Sequence, residues 1–160
     1  MPRSFLKMGL NKLKFLYKEI VLENASNSQN HGIIEHPDFQ TTVYNPSCGD
    51  RINLYLNLNK NDEITAIKFD GSGCTISQAS ASLMTQAVKG KSKGKAVKLA
   101  KIFSDAATGK KQDPEDLAGL GDAKILTNVM AFPARIKCAT LAWWALNRIL
   151  LGRDGAQDND

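Results

Sequence analysis

Covalent cross-linking has little to work with in this chain: its 160 residues include three cysteines, Cys48, Cys74 and Cys138, odd in number and far apart. A disulfide scaffold is excluded, and in a reducing compartment such thiols serve as buried packing residues, metal ligands or nucleophiles. Long apolar runs are missing too. Lys12, Lys14 and Lys18 interrupt the basic N-terminal segment, so neither a secretory leader nor a spanning helix is expected, and the expectation is a cytoplasmic protein with no membrane partner. Aromatic residues make up 7% of the chain and are not interleaved with its most basic stretch. Despite a formal charge of +5, a base-stacking nucleic-acid surface is therefore not expected. Histidine is limited to His31 and His36, both in a polar segment that reads as surface loop.

What is present fits one globular domain. A composition of 42% hydrophobic and 23% charged residues can fill a core at this length. We expect a single domain over residues 1–152 and a flexible acidic tail over 153–160, where Asp154, Asp158 and Asp160 stand near glycines. Leu10, Leu13, Leu16, Tyr17, Ile20 and Val21 recur at intervals of three and four, which predicts an amphipathic helix over 9–24, with a polar loop over 25–37. Three strand-like runs follow at 39–44, 51–58 and 63–69. In the second, Ile52, Leu54, Leu56 and Leu58 alternate with Arg51, Asn53, Tyr55 and Asn57, and the turn at 59–62 makes the pairing antiparallel.

From Cys74 the period changes to that of a helix, through Ile76, Ala79, Leu83, Met84 and Val88. A second helix is predicted over 93–107, a helical turn at 115–120, a short helix at 122–129, and a final helix introduced by Phe132-Pro133 and running to about Leu150. The fold class is α+β, a small three-stranded antiparallel sheet with several helices packed mainly on one face.

Two phosphate-binding motifs fail on inspection. Gly71-Ser72-Gly73 begins like a dinucleotide fingerprint, but Ile76 stands where the third glycine belongs. The 90–95 segment resembles a phosphate loop, yet its glycines are one residue too close and Ala96 replaces the required hydroxyl. The eight lysines between Lys89 and Lys111, against the single acid Asp105, read as a solvated helix face or a dock for an acidic surface.

The chemistry sits elsewhere, in three segments: Asn45-Pro46-Ser47-Cys48-Gly49-Asp50, Asp70-Gly71-Ser72-Gly73-Cys74-Thr75-Ile76-Ser77, and Pro133-Ala134-Arg135-Ile136-Lys137-Cys138-Ala139-Thr140-Leu141. Each places one cysteine at an element boundary. If the three boundaries meet, three thiolates and the Asp50 carboxylate supply the four ligands of a tetrahedral zinc site. Such a site carries a formal charge of minus two, and Arg135 and Lys137 are placed to offset it, Arg135 through a bidentate contact with Asp50.

At these residues the sequence resembles the SufU family of iron-sulfur cluster assembly proteins, relatives of IscU-type scaffolds and of the NifU N-terminal domain. The resemblance runs from the N-terminal helix to about Gly152 and rests on Asn-Pro-x-Cys-Gly-Asp at 45–50, Gly-x-Gly-Cys-x-Ile-Ser-x-Ala-Ser at 71–80 and Arg-Ile-Lys-Cys-Ala-Thr-Leu-Ala-Trp at 135–143. It implies an IscU-like fold, Cys48, Asp50, Cys74 and Cys138 as zinc ligands, and Cys48, assisted by Arg135, as sulfur acceptor. The implied activity is a zinc-dependent sulfurtransferase that takes persulfide sulfur from a SufS-type pyridoxal-phosphate cysteine desulfurase and relays it to downstream Suf assembly components. The alternative is an IscU-like scaffold that holds transient iron or a [2Fe-2S] cluster. Lys137, where those scaffolds carry a histidine, and an insertion over roughly 91–121 set the sequence on the SufU side.

Overall fold

The computed structural model describes residues 10–131 and 133–151; the expected acidic tail and Phe132 lie outside them. Helix α1 spans Leu10–Ser26, followed by strands β1 (Phe39–Asn45), β2 (Asp50–Leu58) and β3 (Ile64–Ser72). Helices α2 (Thr75–Val88), α3 (Lys93–Ala107), α4 (Pro114–Ala118) and α5 (Ile136–Leu150) complete the order, with 3-10 segments at Gly121–Ala131 and Pro133–Arg135 before α5. The strands form an antiparallel meander in the order β1-β2-β3, as the alternation predicts. Helix α5 packs across β1 and β2 and α2 packs against β3, so the helices gather on one face of the sheet.

The parity of the strands decides what reaches the site. Thr41, Val43, Ile52, Leu54, Leu56, Ile67 and Phe69 face the helices and are buried. Asn45 and Asp50 are paired across β1 and β2 and continue the same inward row, so the strands end in two buried polar side chains. On the outward face Thr42 donates to Asn53, and both Asn53 and the Tyr55 hydroxyl donate to Asp70 Oδ1. That network leaves Tyr55 only 8% exposed, although alternation alone places it on the solvent face.

Several boundaries differ from expectation for visible reasons. β2 begins at Asp50 and β3 runs on to Ser72, because Gly71 lets the two backbones approach: a Cβ there would collide with the Arg51 carbonyl. Helix α1 extends to Ser26, and the polar residues after it are tied to α2. Ser82 Oγ donates to Asn24 Oδ1 at 2.8 Å and accepts from the Gln29 amide at 2.9 Å, while the Asn30 amide group reaches Thr85 Oγ1 at 3.0 Å. The 122–129 segment is 3-10 and not α-helical; its buried Ala123 and Leu126 are spaced at the three-residue period of that helix. α5 starts at Ile136, after the proline turn.

Helix α5 is pinned to the core by Trp143, which is fully buried and stacks on Phe103 with centroids 4.6 Å apart and planes 9° from parallel. Its indole N–H donates to Ser80 Oγ at 3.2 Å, and Ser80 donates in turn to the Ala139 carbonyl, so α2 and α5 are joined beneath the site. Trp143→Ala is expected to cost about 3–5 kcal/mol, and Ser80→Ala, which leaves the indole unpartnered, about 1–3 kcal/mol, both read from urea unfolding midpoints.

Candidate metal centre

Three element ends converge at one point. Cys48 lies in the turn between β1 and β2, where its amide donates to the Asn45 carbonyl at 3.2 Å and Gly49, with φ of 70°, turns the chain into β2. Cys74 is the N-cap of α2, its sulfur accepting from the Ser77 amide at 3.4 Å. Cys138 lies in the first turn of α5 and is completely buried. The ligand atoms of Cys48, Asp50 and Cys138 all fall within 4.8 Å of one another. Cys138 Sγ lies 3.1 Å from Cys48 Sγ. The Cys74 sulfur falls outside that close group, and Cys74 joins it through its amide, which bonds Asp50.

The Asp50 carboxylate is the most constrained member. Oδ1 accepts from the Cys74 amide at 2.8 Å and the Ser77 hydroxyl at 3.1 Å; Oδ2 accepts from the Asn45 side-chain amide at 3.1 Å. Burial pushes this carboxyl up, yet the Cys74 amide, the Cys138 thiol, Ser77 and Asn45 together hold it below a carboxylate's ordinary value. Cys138 moves the opposite way. Burial first, then the hydrogen bonds to Cys48, Cys74 and Asp50, push its thiol far up. The Asp50 carboxylate and the Cys48 and Cys138 sulfurs are close enough together to hold a metal ion, and a bound metal would take the proton's place on Cys138.

Arg135 supplies positive charge from the surface, but not as the sequence suggests. Its guanidinium meets Cys48 Sγ at 3.6 Å, and the sulfurs of Cys138, Cys48 and Cys74 favour its charged form. Asp50 is oriented by Asn45, Ser77 and the Cys74 amide in place of the expected bidentate arginine contact. Lys137 is exposed and lines a groove beside β1 and α5. His31 stays in the loop, edge-on to Phe69 at 5.2 Å, and neither histidine is among the clustered donors.

Asn45, Gly73 and Ser77 stand in the cysteine-bearing segments, and their tasks are visible only in the structure. Asn45 Nδ2 lies 3.5 Å from Cys138 Sγ as well as bonding Asp50, so it joins two donors. Its signal was the inward parity shared with Thr41 and Val43. Ser77 sits three residues after the capping cysteine, the reach of a helix cap. Gly73 has φ of 153°, and a Cβ there would run into Asp50 Oδ1 and stand 2.7 Å from Ser77 Oγ.

The described residues contain no helix long and apolar enough to cross a membrane. Residues 16–139 match the family described as the NifU-like N terminal domain, and the chain belongs to that family. It is 44% identical over 143 residues to the zinc-dependent sulfurtransferase SufU of Bacillus subtilis (strain 168), covering 89% of this chain and 95% of that one. It is 42% identical over 150 residues to the iron-sulfur cluster assembly scaffold protein IscU of Streptococcus pyogenes serotype M1, covering 94% and 92%. A crystal structure of an iron-sulfur cluster assembly scaffold protein for the SUF system, from Fervidobacterium islandicum AW-1, superposes with a TM-score of 0.77 at 32% identity over 85% of this chain and 97% of that one.

Gly73→Ala is expected to displace Asp50 and lower metal retention on dialysis while leaving the far-ultraviolet circular dichroism intact. A pH dependence follows from Asp50 in chelator-treated protein. Its folded pKa is depressed, so its contribution to stability is present above the unfolded value of 3.8 and is lost as pH falls through the folded one. Asp50→Asn should flatten that acid limb in urea titrations taken between pH 2 and pH 5, a window of about one to two units either side of the carboxylate range.

Proposed function

We propose that the protein is a zinc-dependent sulfurtransferase, with Cys48, Asp50, Cys74 and Cys138 as zinc ligands and Cys48 as the sulfur acceptor. The observation that carries this reading is the convergence of Cys48, Asp50 and Cys138 within 4.8 Å, with the Arg135 guanidinium on the Cys48 sulfur. The donor set suits zinc in number and kind. Two thiolates on a tetrahedral zinc stand about 3.8 Å apart for bonds of about 2.3 Å, so the Cys48 and Cys138 sulfurs, at 3.1 Å, need to open by less than the width of an atom. Cys74 can retain the Ser77 amide bond as a ligand, because a coordinated sulfur still accepts a hydrogen bond.

Zinc held by Cys48, Asp50, Cys74 and Cys138 would supply positive charge that keeps the Cys48 sulfur a muted thiolate in the absence of a docked donor. With the donor docked, Cys48 Sγ attacks the outer sulfur of the donor's cysteine persulfide. The donor S–S bond breaks, its electron pair leaves with the donor cysteine as thiolate, and a new S–S bond forms on Cys48. The sulfur carries its oxidation level with it, so no external oxidant is consumed. Arg135, at the mouth of the site, offsets negative charge on the acceptor sulfur, while Asp50, Asn45 and Ser77 keep the remaining donors in place.

The donor this reading requires is a SufS-type cysteine desulfurase using pyridoxal phosphate, and the acceptors are downstream Suf assembly components in the cytoplasm, served by a single domain over 1–152. The Bacillus subtilis relative, named for zinc and sulfur transfer, supports it. A scaffold for iron or a [2Fe-2S] cluster is the second reading, favoured by the name of the Streptococcus pyogenes relative. Lys137 weighs against it, being a cation on the outer groove where the scaffolds have a histidine ligand.

Incubation with a SufS-type desulfurase and cysteine should add the mass of one sulfur atom to the wild type and none to Cys48→Ser; an unmodified wild type overturns the reading. Arg135→Ala should slow transfer about 10–100-fold, with partial recovery in Arg135→Lys, measured as the rate of persulfide formation. Elemental analysis separates the two readings, since firmly bound zinc without iron or sulfide argues against the scaffold.

A further inference from the structure

A groove of about 670 Å³ lies beside the sulfur site, between β1 and one stripe of α5. Residues 137, 140, 141, 144 and 148 recur at helical spacing and face it, with residues 42–47 opposite. Two of its aromatic residues are unusually open for their size, Tyr44 at 63% and Trp144 at 36% exposure. The Arg148 guanidinium carbon lies 5.5 Å from the centre of the Trp144 ring and steadies it. Among the described residues that line the groove, Lys137 and Arg148 are the charged ones and none is a carboxylate.

The sheet treats its two edges differently. Along β3, residues 30–32 run parallel to the strand, the Gly32 amide donating to the Phe69 carbonyl and the Phe69 amide to the Asn30 carbonyl. β1 pairs only with β2 among the described residues, and its end runs through the groove to Ser47, next in sequence to Cys48.

We propose that this groove docks the sulfur donor protein, through a segment of that protein carrying carboxylates beside an aromatic or aliphatic side chain; the inference rests on the sulfurtransferase reading. Charge complementarity selects an acidic segment, and exposed tyrosine and tryptophan beside arginine are the side chains that anchor protein contacts. Continuity with the acceptor turn gives the contact its use. A segment seated along 44–47 ends one residue from Cys48 and holds the persulfide near the attacking sulfur, converting a chance encounter into a positioned one. The lysines at 89–98 are a poorer dock for this purpose. They begin at Lys89, the C-cap of α2, about 21 Å from Cys74 at the helical rise for 14 residues, and the Lys93 amide and the Ser92 backbone join that segment to Asp62 and Glu63.

The test measures desulfurase affinity by calorimetry, with Cys48 persulfide formation from the desulfurase and from inorganic polysulfide, in wild type, Tyr44→Glu, Trp144→Ala and Lys137→Glu. The variants should bind the desulfurase about tenfold more weakly or worse, with the half-saturating desulfurase concentration raised, zinc content unchanged and polysulfide labelling of Cys48 retained. Trp144→Ala and Tyr44→Glu binding as tightly as wild type would overturn the proposal. A wild type that takes sulfur from polysulfide but neither binds nor accepts it from the desulfurase removes the sulfurtransferase reading itself, and the groove assignment with it. Loss of a wild-type dimer on Trp144→Ala, with desulfurase affinity unchanged, assigns the groove to a second copy of the chain and also overturns the proposal.

Discussion

The Asp50 carboxylate, sunk at the head of β2, ties the separate ends of the fold to one point. It accepts from the N-cap amide of α2, from Ser77 in the first turn of that helix and from Asn45 at the end of β1, and it lies beside Cys138 at the start of α5. A buried carboxylate without such donors would be expensive to desolvate. Here the donors come from segments that carry or flank the cysteines, so satisfying Asp50 also brings the cysteine-bearing segments together.

Packing beneath the site makes the arrangement stiff. Ser80 and Trp143 link α2 to α5, and Phe103 from α3 stacks on the same indole. The insertion between the second and third cysteines thus contributes α3 to the core and is not a surface appendage. The polar segment after α1 is held by Asn24, Ser82 and Thr85, which gives a run of asparagines and serines a defined place on α2.

Much of this was legible in the sequence, and what was not has physical reasons. Alternation in 51–58 gave the meander and its buried face, since period two follows directly from strand geometry. That Cys48, Asp50 and Cys138 meet at one place is not readable from the sequence, because spacing carries no information about which element ends adjoin. The partner of Arg135 was misplaced for the same reason: Asp50 faces inward with the core row, and an arginine at the exposed start of α5 reaches the Cys48 turn instead. Tyr55 and the 3-10 segment after Gly121 escaped because a polar cross-strand network and tertiary docking overrode local pattern.

The positive excess also divides by place. Arg135 meets the Cys48 sulfur, Lys137 and Arg148 line the groove, and Lys101 and Lys110 pair with Asp105 on α3. The central claim is that three thiolates and one carboxylate from separate element ends make a single zinc shell. Zinc-edge X-ray absorption on the purified protein tests it most directly. The account predicts three sulfur neighbours at about 2.3 Å and one oxygen at about 2.0–2.2 Å; a shell of nitrogen and oxygen alone, or one with fewer than three sulfurs, would contradict it.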